Sequence, residues 1–377
     1  MKLGGITWWR YNYGSILQAY ALQTKLNSYQ DVDYEIICQY GKKVASAKNL
    51  SEKLNRLGFK KTFLRALCKF GLKKLRMRNR NIERFVESHL QISKDEFTES
   101  NIGLANEVYD GFICGSDQIW NPELTELDSI YWLKFTVPGK LKISYAPSVG
   151  VDHFTTEQQR CVRENLADFK AVSAREEQGT KIINDALGKE TCITVLDPTL
   201  IIDKSEWDKL SEGKLYKEPY IFAYILRGSV EERKYIERFA TARKLKIVTM
   251  PFLDPDHICL YDFNFGDIKL WDGDPSDFIR AIRYADYVFT DSFHSLVFSC
   301  IYHREFYVFP KIGKAQLNRV LELLHLVEAE DRLLDLNRDK ERNASLTNKI
   351  NWDKVDKKID EKKILSSRFL EDALLNR

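Results

Sequence analysis

The segment Tyr287 to Pro310, YVFTDSFHSLVFSCIYHREFYVFP, constrains this chain more than any other. An apolar strand runs into Thr290-Asp291-Ser292. His294 falls in the first turn of an apolar helix, and a second strand follows at Phe306 to Phe309. The spacing predicts a β-turn-α-β unit with one titratable ring at the strand's C-terminal mouth. Ligands of open α/β sheets sit at that edge, and a helix N-terminus draws anions there. An imidazole at an anion site suits acid–base work on a phosphorylated or carboxylated substrate.

Comparable units recur along the chain. Residues 2–9 read as a strand, Arg10 to Ser15 as a turn, Ile16 to Leu26 as a helix and Asp33 to Cys38 as a second strand. VYDGFIC, LKISYA, FKAVSA and TVLDPTLIID follow, each entering a turn or helix. A second series begins at Pro219 with IFAYIL, a helix from Val230 to Lys244, LKIVTM, IKLWD and a helix from Pro275 to Tyr284. Short apolar strands alternating with helices imply mostly parallel sheets. A length of 377 residues suits two cores. The expected fold is α/β, with two Rossmann-like parallel-sheet domains facing a cleft. Residues 1–204 form the first domain and 205–335 the second, with 205–218 as a charged connection. Residues 336–377 form a charged segment, helical near Trp352 to Ile364, expected to pack back across the molecule.

Composition excludes several classes. The net charge of +3 carries no strong field for nucleic acid. Cysteines 38, 68, 114, 161, 192, 259 and 300 are scattered and form no CxxC pair. That predicts a reduced, cytoplasmic protein without disulfide framework or zinc knuckle. MKLGGITWWR lacks the apolar core of a signal peptide, and no run of about 18 apolar residues is present. His257 with Cys259, and His294 with His303, are not spaced as metal ligands. No strand leads into GxGxxG, and no GxSxG or Walker A sequence occurs, so no bound cofactor is expected. Residues 42–80 set many Lys and Arg against one acid, Glu52, with leucines and phenylalanines interleaved at helical spacing. Such an insertion, about 42–82, either lies on an anionic membrane surface or packs its apolar face on the domain with its charges solvated.

In order along the chain, YNYGSILQAYAL, GSDQIWNP, SYAPSVG, VSAREEQG, LDPTLII and TDSFHSLVFS resemble the polysaccharide pyruvyl transferase family over roughly residues 3 to 330. The resemblance implies a GT-B-like shell of two Rossmann domains, the first on the acceptor side and the second on the donor side. It further implies transfer of the enolpyruvyl carbons of phosphoenolpyruvate onto two hydroxyls of a sugar, giving a pyruvate ketal and phosphate. Phosphoenolpyruvate would be a co-substrate, and the acceptor a free or lipid-linked saccharide met at the inner face of the membrane. One departure stands out. Many members carry a basic residue just before the motif histidine, whereas here Ser292 and Phe293 precede His294. Two rivals share the shell: a sugar-nucleotide glycosyltransferase and a non-catalytic saccharide-binding protein.

Candidate residues gather at strand mouths. His294 is the expected proton carrier, the alternative being a capping or core histidine. Arg175 opens the helix after FKAVSA, where its planar fork can hold a phosphate or carboxylate; the alternative is a first-turn ion pair with Glu176 and Glu177. The family's SxRE pattern matches Ser173 to Glu176 and implies a donor-binding arginine. Arg319, Arg227, Ser292 and Ser295 are assigned to the donor with it. Asn12, Tyr13, Gly14 and Ser15, in the first strand-to-helix turn, are assigned to the acceptor, with Trp9 as a stacking ring and Gln118. Asp117 either deprotonates a sugar hydroxyl or holds an Asx-type turn. Asp291 is expected beside His294, and Asp197 is expected to fix a turn rather than to act in chemistry.

Overall fold

In a computed structural model, which describes residues 1–10, 12–40, 73–251, 259–310, 314–336 and 349–375, the chain forms two parallel sheets of one design. The first contains β1 (Lys2–Ile6), β2 (Asp33–Tyr40), β3 (Ile92–Thr98), β4 (Gly111–Cys114) and β5 (Leu141–Ser144), in the order β3-β2-β1-β4-β5. A parallel bridge from Ile143 to Ala171 leads on to the pair β6 (Val172–Ala174) and β7 (Cys192–Thr194). The second contains β8 (Tyr220–Tyr224), β9 (Lys246–Thr249), β10 (Ile268–Lys269), β11 (Tyr287–Thr290) and β12 (Glu305–Val308), in the order β10-β9-β8-β11-β12. Counted from its own first strand, each sheet reads 3-2-1-4-5. Winding therefore reverses between β1 and β4, and again between β8 and β11. Loops part at those two points, and ligands enter there in doubly wound sheets. The central strands β4 and β8 are buried at every residue, as strands covered on both faces must be.

The helices that matter for the cleft are α1 (Tyr13–Leu26), α2 (Lys73–His89), α3 (Thr156–Leu166), α4 (Glu177–Leu187), α5 (Lys204–Leu210), α6 (Val230–Arg243), α7 (Pro275–Arg283), α8 (Phe293–Ile301), α9 (Lys314–Leu326) and α10 (Trp352–Leu375). The C-terminal helix does pack back. At its start Trp352 stacks on His303, and Lys354 pairs with Glu328 of the second half. Farther along, the Ser366 hydroxyl accepts the Leu196 amide at 2.9 Å, and Phe369 lies 6.3 Å from Tyr145 of the first half.

Several sequence expectations need correction. The strand β3 was not expected, because ISKDEFT is mostly polar; only Ser93 and Phe97 are buried, and Lys94, Asp95 and Glu96 face water from the edge of the sheet. In TVLDPTLIID, which closes the first half, β7 ends at Thr194 and Pro198–Leu200 form a 3₁₀ turn. The connection 205–218 contains most of α5, whose Trp207 is fully buried against Tyr20 and Phe298. The C-terminal helix runs to Leu375, eleven residues past Ile364. Of the basic segment, residues 42–72 lie outside the described residues. In α2, Ile82, Phe85 and Val86 are buried, and Arg78 turns inward, 4.8 Å from the Tyr13 ring, rather than outward to a surface. Among the described residues no helix is long and apolar enough to cross a membrane, and no three His, Cys, Asp or Glu are grouped to hold a metal ion.

Candidate active site

The two switch points face each other. The first presents the turn before α1 and the loop after β4; the second presents the loops after β8 and β11. Asn12 caps α1, its Oδ1 accepting the Gly14 and Ser15 amides at 2.9 and 3.4 Å. Gly14 is required by what lies opposite. A Cβ there would sit 2.1 Å from His294 Nδ1, so α1 meets the imidazole with bare backbone. Gly14→Ala should therefore push the ring aside, at a cost of about 1–3 kcal/mol for overpacking. In a His294→Ala background the same change should cost little. Equal destabilisation in both backgrounds, measured by urea melts, would show that the contact is not limiting.

After β4, Gly115 (φ 126) brings the chain so close to β5 that a Cβ would lie 1.9 Å from the Tyr145 carbonyl. Asp117 follows at φ 62, a left-handed conformation that Asp tolerates. Its Oδ1 accepts the Gln118 amide at 2.9 Å and its Oδ2 accepts the Ser15 hydroxyl. Both oxygens thus hold the loop, one to the next amide and one to α1. Gln118 accepts Asn121 Nδ2 at 3.1 Å.

Behind this loop lies a polar network that the sequence reading missed. Gln18, fully buried, donates from Nε2 to Thr7 Oγ1, Trp8 O and Ser15 O at 3.0, 2.9 and 2.8 Å, and accepts the Ser116 amide at 3.2 Å. Ser116 Oγ donates to Ala146 O at 2.9 Å and lies 3.4 Å from Asp197 Oδ2. Asp197 is the hub. Its Oδ1 accepts the Thr199 amide and hydroxyl at 3.0 and 2.6 Å, the turn-fixing role expected of it. Its Oδ2 faces the cleft, accepting Arg175 Nη1 at 2.7 Å with His294 Nε2 at 3.7 Å. That last distance suits an ion pair with the protonated ring and exceeds a hydrogen bond. The expectation that Asp197 only fixes a turn is therefore too narrow. Burial opposes its ionisation, but His294, Arg175 and Thr199 outweigh it and hold the carboxyl well below the ordinary range. Burial likewise works against the Arg175 charge, yet Glu176, Asp197 and Asp117 more than compensate, so the guanidinium stays protonated.

In the second half, Asp291 accepts the Leu226 and Arg227 amides, both at 2.7 Å. It ties the loop after β8 to the loop after β11 and makes no hydrogen bond to His294. Arg227 takes part through its backbone. Ser292 caps α8 by accepting the Ser295 amide at 3.5 Å, while Ser295 Oγ is buried without a partner among the described residues. Phe293, just before His294, has two guanidinium groups near its ring. Arg175 is 4.7 Å and Arg319 6.0 Å from its ring centre. Arg319 is 7% exposed and forms no ion pair among the described residues. Burial, and then Arg175, pull it down to about 10, so it remains cationic at neutral pH.

Arg175, Asp197, Phe293, Arg319 and Glu322 line one cavity of about 450 Å³ between the halves, with Lys358 and Lys362 of α10. His294 does not line it; its Nε2 lies 3.7 Å from Asp197, which does. None of the residues assigned to the acceptor, Asn12, Tyr13, Gly14, Ser15, Gln118 and Trp9, lines the cavity, and two of them are committed elsewhere. Tyr13 is 1% exposed, donates to Gly273 O at 2.6 Å and stacks on Phe278, so it joins the halves instead of meeting a sugar. Trp9 is also buried, with Arg10 3.8 Å over its ring, and lines a separate cavity of about 300 Å³ with Gln39, Tyr40 and Tyr131.

A family model described as polysaccharide pyruvyl transferase matches residues 12–310. Among solved structures, a putative UDP-N-acetylglucosamine 2-epimerase from Listeria monocytogenes superposes with a TM-score of 0.53 at 12% identity, over 98% of this chain and 95% of that one. Another UDP-N-acetylglucosamine 2-epimerase gives 0.50 at 10% identity, over 100% and 96%. At such identities the likeness concerns the fold, which is of the GT-B type. A search of curated proteins found no match.

Proposed function

This chain belongs to the polysaccharide pyruvyl transferase family, and from that premise we propose that it forms a pyruvate ketal on a sugar of a polysaccharide or lipid-linked precursor, with phosphoenolpyruvate as donor. The carrying observation is the pair Arg175 and Arg319. They come from different halves, meet over Phe293, and each keeps a buried nitrogen without a partner among the described residues: Nη2 of Arg175 and Nε of Arg319. Unmet buried donors on cations call for an anionic acceptor. In this reading the pair supplies the charge that the sequence lacks just before His294, where Ser292 and Phe293 stand.

The chemistry follows from the groups around it. Protonation of the donor's methylene carbon makes a methyl group and an oxocarbenium-like centre, which one sugar hydroxyl attacks. Loss of phosphate regenerates the cationic centre, and the second hydroxyl closes the ketal. One hydroxyl proton ends on the methyl carbon and the other on phosphate, so the sum balances. His294 is the proton carrier. Asp197 beside Nε2 stabilises the charged ring, and Nδ1 faces the bare backbone at Gly14. The buried guanidinium groups stabilise the departing phosphate.

Arg319→Ala tests the donor assignment more cleanly than a change at Arg175, which also neutralises Asp197 and Glu176. Loss of a charged hydrogen bond, worth about 1.5–3 kcal/mol, should weaken phosphoenolpyruvate binding about 10- to 100-fold. Stability should hold or rise, because a buried cation without an ion pair is removed. Unchanged affinity by isothermal titration would refute the assignment.

A further inference from the structure

We propose that the Glu322 carboxylate is an internal stand-in for a substrate anion, seated on the first turn of α4 and displaced when a doubly anionic phosphorylated donor fills the cavity. The proposal rests on the donor reading above. Helix α4 begins two residues after Arg175, and its first amides need acceptors. Its own N-cap residue, Glu176, does not serve them; that carboxylate is held by Arg175 Nε at 3.0 Å. The acceptor comes instead from the other half of the molecule. Glu322 on α9 accepts the Glu177 amide at 2.7 Å and the Gln178 amide at 3.1 Å. A carboxylate therefore already occupies the place where a helix N-terminus binds an external anion.

Two further observations point to a ligand at this place. Arg319 lies one turn before Glu322 on α9, and Arg175 lies just before α4. Both are more than nine-tenths buried, keep unpartnered nitrogens among the described residues, and line the same cavity as Glu177 and Glu322. Glu322 is also a poor occupant. Burial pushes it up to about 7, the two amide bonds oppose that, and Glu176 and Glu177 add to it. A phosphate or a more acidic carboxylate would sit there at lower cost. A donor carrying both groups needs two anion seats. The two arginines form one, and the turn held by Glu322 forms the second. Filling it would also release a bond between the two halves.

The test measures binding of phosphoenolpyruvate and of inorganic phosphate to the full chain by isothermal titration. Glu322→Ala should tighten phosphoenolpyruvate about tenfold, the gain expected when a seat blocked nine-tenths of the time is freed. Asp185→Asn makes the same charge change at an exposed position of α4 outside the cavity and should alter affinity less than about threefold. Glu322→Gln keeps the side-chain volume and should tighten binding in the same direction, which preserves the test if the alanine variant does not fold. Hydrogen exchange supplies the second readout. In Glu322→Ala or Glu322→Gln the Glu177 and Gln178 amides should exchange faster when free and regain protection with phosphoenolpyruvate. If the wild type binds phosphoenolpyruvate through Arg319 but these variants bind no tighter and the amides stay unprotected, the stand-in role falls and the donor reading survives. If phosphoenolpyruvate binds no variant, both fall. Phosphate gaining affinity while phosphoenolpyruvate does not would contradict a second anion seat for the donor.

Discussion

His294→Ala is expected to lower turnover by about 100- to 10,000-fold, the usual contribution of a general acid–base group, while the protein still melts cooperatively. The imidazole is 8% exposed, and its Nε2 makes no hydrogen bond among the described residues. Its removal therefore takes away packing against Gly14 and a ring nitrogen 3.7 Å from Asp197 Oδ2. His294→Gln should be as inactive as the alanine variant, because an amide of similar reach carries no titratable proton. Turnover within threefold of wild type in either variant would remove His294 from the reaction.

Asp197→Ala is expected to be the most destabilising change in the site. The carboxylate is fully enclosed and is one of two acids in direct contact with Arg175, so its loss leaves the buried guanidinium paired with Glu176 alone, with Asp117 acting from farther off. Breaking a buried pair by removing one partner costs about 3–5 kcal/mol. The Thr199 turn also loses its acceptor. Asp197→Asn keeps that acceptor but not the charge. It should recover part of the stability and little of the activity, since His294 would lose the anion beside Nε2. Denaturant unfolding separates the two variants. An alanine variant within 1 kcal/mol of wild type, as read by those melts, would show that Glu176 alone suffices for Arg175.

The strand-mouth residues were legible because their signals are local. TDSFHS interrupts two apolar elements, and GSDQ follows an apolar strand, so the position of His294 and the loop at Asp117 could be read directly. Arg175, Arg319 and His294 could be placed at such mouths, and the structure brings the two arginines to one cavity, with His294 beside Asp197 of its lining. What stayed hidden depends on distant partners. Tyr13 looks like an exposed ring in a turn until Phe278 and Gly273, about 260 residues away, close over it. Asp197 looks like a turn residue because one of its oxygens is; only the fold shows the other facing Arg175 and His294. Gln18 reads as a polar position on a helix, and its four hydrogen bonds to three separate segments are invisible in sequence. Glu322 reads as one charge on an amphipathic helix, although its partners are the first amides of a helix in the other half.

The most direct test of the account is acceptor-dependent phosphate release. Purified protein would be incubated with phosphoenolpyruvate and a panel of nucleotide-linked and lipid-linked sugars. Phosphate would be followed continuously, and the sugars weighed by mass spectrometry. The account predicts phosphate release only with an acceptor, and a sugar heavier by pyruvic acid less one water. His294→Ala should abolish both signals. Release of nucleotide from a sugar nucleotide, with phosphoenolpyruvate left untouched, would contradict it.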